Sequence, residues 1–156
     1  MMYYGQEIVS VIFLDISERL AFMFGDPVAK DRLRTGGARW VQAGVTFSGA
    51  TAGCLTLGAP KDLCHEIAAN ILGLEPEELD DGLMAEDALR ELLNVVTGHV
   101  VPGLQGEDEA FELSVPTFRE MEDGDHDALL QDPNTIGYEL DGSPVLLTLS
   151  LEADVA

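Results

Sequence analysis

Positive charge is scarce in this chain: eight Lys and Arg stand against 29 Asp and Glu, a formal net charge of −21 over 156 residues. Such a field disfavours direct binding to phosphate backbones and to anionic lipid surfaces. Long apolar runs are missing as well, and none approaches the roughly 18 residues of a membrane-spanning helix. The opening MMYYGQEIVSVIFLDISERLAF has no basic start and no small-residue cleavage site, and Asp15, Glu18 and Arg19 interrupt its apolar character. Neither a signal peptide nor an anchor is expected, and a cytoplasmic location is. Cysteine is limited to Cys54 and Cys64, in separate predicted elements, which suits two free buried thiols better than a metal cluster or a disulfide framework. Phosphate-cradling glycine loops and the HExxH and GxSxG motifs do not occur.

What is present is an ordinary globular composition, with 46% hydrophobic and 24% charged residues. A chain of this length is expected to form one domain over 1–156 with a core that needs no staples. Its charge is uneven: residues 1–58 hold five acids and five bases, so the remaining 24 acids and three bases (Lys61, Arg90, Arg119) fall in 59–156. Solubility explains such a surface; so would a basic or metal-bearing protein partner.

Periodicity predicts a helix over 5–24, apolar round much of its circumference and stopped by Gly25 and Pro27. ARWVQAGVTFSG (38–49) and TAGCLTLGAP (51–60) read as a hairpin. Pro60 then opens a helix that Gly73 ends. LEPEELDD is an acidic connector, and a further helix runs from about Leu83 to Val101, closed by Pro102 and Gly103. EAFELSVPTF (109–118) alternates like a strand until Pro116, 119–134 is a polar connection, and TIGYELDGSPVLLTLSL (135–151) is a hairpin turning at Asp141-Gly142. The order α-β-β-α-α-β-β-β implies an α+β fold with a largely antiparallel sheet and long helices packed on it.

The helix over 83–101 carries the chemistry. At about 100° per residue, Asp87, Glu91, Asn94 and Gly98 fall within an arc of roughly 60°. Ala88, Leu89, Leu92, Leu93, Val95, Val96 and Val100 cover the other side. A solvated face is the plain alternative. Yet Asn costs several tenths of a kcal/mol relative to Ala in a helix, and Gly about 1. Gly98 suits a place where a backbone or partner approaches closely, and the Asn94 amide can hold a water or an oxyanion.

Asp87-x3-Glu91-x2-Asn94, with Pro116 following 22 residues after Asn94, resembles the signature of the CheC/CheX/FliY chemotaxis phosphatases. SGATAGCLTLGAP is similar to that family's glycine-containing hairpin, EIAANILGLEPEEL to its next helix and acidic connector, and SVPTF to its proline-bearing strand end. The resemblance covers nearly the whole chain. Some members carry a second site on the first helix. Here the register on Asp15 gives Arg19 and Phe22, and that on Ser17 gives Ala21 and Phe24, so neither preserves Glu and Asn. The chain therefore resembles the single-site CheX-like branch, and its first helix reads as structural, with its Phe and Met residues in the core.

That resemblance implies hydrolysis of the aspartyl phosphate on a CheY-type response regulator. No cofactor of its own is implied, because the regulator carries Mg²⁺. Asn94 would orient the attacking water, and Glu91 would pair with the regulator's active-site lysine. Asp87 and Gly98 would shape the contact with the partner, and Pro116 the adjoining loop. A homodimer with a continuous sheet is also implied. The runner-up is an inactive CheX-like dimerisation or regulator-binding module, and a third class is a calcium-responsive acidic protein. DGDHD (123–127) has calcium-like spacing, but Ala128 and Asn134 replace the Gly and Glu of an EF-hand loop. Cys64 and His65 point to different helix faces, His99 flanks the stripe, and Trp40 is expected in packing rather than at a ligand.

Overall fold

The computed structural model describes residues 3–79 and 82–152. Asp80 and Asp81 of the acidic connector lie outside them. Helix α1 (Tyr4–Ala21) leads into a short strand β1 (Gly25–Pro27), and β2 (Trp40–Gly49) and β3 (Gly53–Pro60) form the first hairpin. Helices α2 (Lys61–Leu72) and α3 (Leu83–Gln105) follow, then the short strands β4 (Phe111–Leu113) and β5 (Thr117–Glu120) and helix α4 (Asp125–Gln131). The second hairpin, β6 (Thr135–Leu140) and β7 (Ser143–Leu151), ends the fold. The strands pair antiparallel in the order β1, β6, β7, β3, β2, with β4 and β5 both on the outer edge of β2. This is the α+β fold expected from the sequence, with small pieces added at β1 and α4.

Alternation along the strands decides where the core sits. Val41, Ala43, Val45 and Phe47 of β2, Leu55 and Leu57 of β3, and Leu147 and Leu149 of β7 share one face with Tyr138 of β6, and all are buried. Helices α1 and α3 cover that face, with Phe13 of α1 packed on Tyr138 at 4.9 Å between ring centroids. The Tyr138 hydroxyl lies 2.6 Å from the Ser10 hydroxyl, and burial pushes its pKa up. α3 lies between α1 and α2 and packs against β2. Its apolar side is therefore held on three fronts.

Three sequence expectations change. Helix α1 ends at Ala21 rather than Phe24, because Phe22 turns left-handed (φ 54°) and the chain folds back through Phe22 N–H to Glu18 O and Met23 N–H to Ser17 O. Met23 and Phe13 are core, but Phe22 and Phe24 are exposed. Gly25 begins β1 instead of merely stopping the helix; a Cβ there would sit 1.9 Å from the Glu139 carbonyl oxygen across the sheet.

Pro102 does not close α3, which runs on to Gln105. A proline costs a helix the bond from its missing N–H, here to the carbonyl of Gly98. Tertiary packing offsets that loss: at Gly103 an added Cβ would meet Ile8 of α1 at 2.9 Å, so the last turn is held by close approach of the two helices. Third, the strand expected in 109–118 to run until Pro116 stops at Leu113, and a second strand starts at Thr117. β4 pairs up to Phe47–Leu113 and β5 resumes at Gly44–Thr117, so three residues, Ser114, Val115 and Pro116, face two on β2. That is a β-bulge, a position where proline is tolerated because its missing N–H costs no ladder bond. The Ser114 hydroxyl anchors it by accepting the Thr46 N–H at 2.9 Å, and Ser114 N–H donates to Thr46 O.

Candidate functional site

Helix α3 puts Leu89, Leu92 and Leu93 inward and its stripe outward. Ala88, Leu89, Leu92, Leu93, Val96 and Val100 are buried, whereas Val95 is half-buried on the flank. Asp87 and Glu91 are exposed, and Asn94 and Gly98 are half-exposed. The bulge stands beside this stripe. Asp87, Arg90, Glu91 and Asn94 from α3, with Val115 and Pro116 from the bulge, line an open groove of about 560 Å³. Four residues singled out from sequence thus meet at one place: Asp87, Glu91, Asn94 and Pro116. Gly98 lies one turn beyond Asn94 on the same stripe, and nothing stands within 4 Å of a Cβ placed on it.

Two groove residues were not singled out from sequence. Val115 is 84% exposed, an isolated apolar side chain at the groove's lip. A Pro in a strand-like run hints at a bulge, but which side chain the bulge aims outward depends on the register with β2. Arg90 is half-buried between helix and bulge. Its guanidinium donates to Asp87 Oδ1 at 2.9 Å, lies 3.5 Å from Glu86 Oε2, and sits over the Phe118 ring at 5.6 Å from its centroid. The Glu86–Arg90 and Asp87–Arg90 spacings, i to i+4 and i to i+3, were the readable signal for this contact.

The two residues at the centre of the stripe are left available. Among the described residues, no hydrogen bond or ion pair engages the Glu91 carboxylate or the Asn94 amide. A carboxylate in that state accepts a cation or N–H donors; an amide three residues on, on the same face, both donates and accepts. Together they can grip a positively charged side chain and hold a small polar molecule one turn away.

Elsewhere the chemistry is quieter. Cys64 is buried, its thiol pushed up to about 12 by desolvation, while His65 beside it is half-exposed on another helix face. His99 Nδ1 lies 2.9 Å from the Val95 carbonyl. Trp40 is packed as expected, stacked on His126 at 6.0 Å and donating its indole N–H to Thr35 O. In DGDHD, Asp125 accepts the Glu122 N–H and the Arg119 guanidinium, and these hold its carboxyl below the usual range. Among the described residues, no group of three or more His, Cys, Asp or Glu could hold a metal ion. Among the described residues, no helix is long and apolar enough to cross a membrane.

Comparison with known proteins follows the same lines. A family model described as chemotaxis phosphatase CheX matches residues 41–134, more than half of the chain and all of the elements that build the groove. The fold is similar to that of chemotaxis protein CheX from Desulfovibrio desulfuricans, at 14% identity over 96% of this chain and 100% of that one, with a TM-score of 0.70. Chemotaxis protein CheX from Vibrio vulnificus gives 17% identity, 96% and 97% coverage and a TM-score of 0.69. A chain of a CheX–CheY–BeF3–Mg²⁺ complex from Borrelia burgdorferi gives 16%, 94% and 96%, and 0.69. At these identities the structural likeness is one of fold. No curated protein matches the sequence.

Proposed function

The chain belongs to the chemotaxis phosphatase CheX family, and we propose that it hydrolyses the aspartyl phosphate of a CheY-type response regulator by inserting helix α3 into the regulator's active site. The carrying observation is the pairing of an unengaged Glu91 with an unengaged Asn94 on one exposed stripe, walled by the Val115–Pro116 bulge. The relative from Borrelia burgdorferi was solved with CheY, beryllofluoride and Mg²⁺, which supports a receiver domain as the partner.

The division of labour follows from the chemistry. The phosphoryl group and its Mg²⁺ belong to the regulator, so this chain supplies position rather than a nucleophile. Glu91 accepts the regulator's active-site lysine in a charge-assisted contact and fixes where the helix lies. Asn94, about one turn on, holds a water in line with the phosphorus. The water oxygen forms the new P–O bond and the bond from phosphorus to the aspartyl oxygen breaks. The carboxylate leaves with its electron pair, and the water's protons pass to phosphate and solvent. Asp87 and Gly98 contribute to the docking surface, and Pro116 shapes the wall. The acidic field is compatible with this partner because Mg²⁺ and lysine already offset the phosphoryl charge; it makes association salt-sensitive. In the same reading the chain works as a homodimer.

The test compares wild type, Asn94→Ala and Glu91→Ala in releasing phosphate from a labelled receiver domain. Asn94→Ala should bind but lose turnover on the order of a hundredfold or more, the scale seen for removal of one preorganised polar group. Glu91→Ala should lose both binding and turnover. Equal, slow dephosphorylation with all three would leave only the inactive-module reading.

A further inference from the structure

Two exposed carboxylates on the stripe, Asp87 and Glu91, are four residues apart, about 6 Å along the helix axis. A docking ammonium could pair with either. The choice decides the chemistry: a helix gripped by Asp87 instead of Glu91 slides by one turn, and Asn94 then lies about 6 Å from where a water must be held. That exceeds the roughly 3 Å reach of a hydrogen bond. Something must break the tie, and Arg90 is built to do so. Among the described residues lining the groove it is the one cation. Its guanidinium is taken up by Asp87 at 2.9 Å and Glu86 at 3.5 Å, and Phe118 backs its flat face. An incoming ammonium at Asp87 therefore meets a positive charge already in place, whereas Glu91 has no such guard.

We propose that Arg90 is a register-setting residue: by pairing with Asp87 and Glu86 it leaves Glu91 as the carboxylate offered to the partner, so that Asn94 meets the phosphoryl group in a single alignment. This rests on the reading of the groove as a phosphatase docking surface. Arg90 acts through Asp87 and does not touch substrate.

Removing the guard has a distinctive kinetic result. Where two registers bind equally well and only one reacts, the productive half of the complexes sets turnover. Then kcat and KM both fall about twofold, more if Asp87 is preferred, while kcat/KM is unchanged. Arg90→Gln should show that pattern with a labelled receiver domain at physiological salt. Arg90→Lys, which can still pair with Asp87, should stay near wild type. Adding Asp87→Asn to Arg90→Gln should bring kcat back toward the wild-type value by removing the second register, which a defect in packing on Phe118 would not allow. Binding gives a readout free of turnover, with the same receiver domain carrying Mg²⁺ and beryllofluoride as the probe. Glu91→Gln alone should abolish binding, but in the Arg90→Gln background binding should persist through Asp87. The proposal is overturned if Arg90→Gln lowers kcat/KM at constant KM, if Asp87→Asn fails to rescue it, or if Glu91→Gln abolishes binding in both backgrounds. A wild type that binds without releasing phosphate would sink the hydrolysis reading, while the binding pair would still decide the register.

Discussion

Replacing Gly98 by alanine should make the protein more stable and less able to engage its partner. Gly98 lies inside α3 at a helical backbone position outside the left-handed region, and an added Cβ meets nothing within 4 Å. No strain or collision opposes the methyl, so the intrinsic preference for Ala over Gly, about 0.8–1.0 kcal/mol, should appear nearly undiminished. The Cβ also tilts toward the helix N-terminus, away from the carbonyl that Pro102 leaves without its helical donor. For a chain of this size that gain corresponds to a Tm rise of about 2–4 °C. On the functional side, the methyl sits on the stripe one turn past Asn94, where the proposed docking slides the partner against bare backbone. Crowding a close contact costs about 1–3 kcal/mol, so KM for phosphorylated receiver should rise at least about fivefold. Thermal melting and steady-state phosphate release on the same preparation read both quantities. A lower Tm would refute the open environment assigned to Gly98. A higher Tm with unchanged KM would show that Gly98 does not meet the partner.

Val115→Ser should weaken receiver binding by about 1 kcal/mol, roughly fivefold in Kd, with no loss of stability, because the side chain is 84% exposed at the groove's lip; titration calorimetry beside a melting curve checks it. Iodoacetamide at pH 8 should label half-buried Cys54 in the native protein and reach buried Cys64, with its thiol pushed up to about 12, only after unfolding, as read by mass spectrometry. Asp125 is held below its usual pKa by the Glu122 N–H first and the Arg119 guanidinium second. Its contribution to stability is therefore in place above about pH 4, the unfolded value, and is lost as pH falls through the lower folded one. The urea-unfolding difference between wild type and Asp125→Asn should be flat from pH 7 to about 4 and shrink below it.

Local chemistry predicted the elements well wherever a residue's own backbone preference decides the outcome. Gly73 ends α2 at φ 69°, and Asp141-Gly142 turn the second hairpin at φ 48° and 83°. The stripe on α3 was legible for the same reason, since helical periodicity is a local property. Apart from the end of α1, the misses involve distant partners. Phe22 adopts a left-handed φ that no Gly or Asn announces. Gly25 is required by Glu139, more than a hundred residues away. Pro102 reads as a terminator until α1 is seen against Gly103. The bulge at Ser114–Pro116, and with it the aim of Val115, exists only relative to β2. Arg90 was overlooked because an i,i+3 or i,i+4 ion pair on a helix surface is common; its meaning comes from Phe118 and the groove.

The groove also explains how a helix tolerates two poor helix formers in line. Asn94 and Gly98 together cost roughly 1.5 kcal/mol against alanine, and Pro102 adds about 3 more in a helix interior. An isolated segment with these residues would not stay helical. On the opposite side, Leu89, Leu92 and Leu93 are fully buried against neighbours on α1, α2 and β2, and each such side chain contributes about 1.5–3 kcal/mol by leaving water. The anchored face offsets the cost of the working face, which local propensity alone does not do. Because that anchoring comes from three separate elements, the stripe is held as a rigid edge rather than a loop. On the proposed mechanism Asn94 must hold one water in line, and that needs rigidity, since an Asn94 free to move by an ångström would hold the water out of line. In that mechanism the buried leucines serve the site's chemistry, though none of them lines the groove.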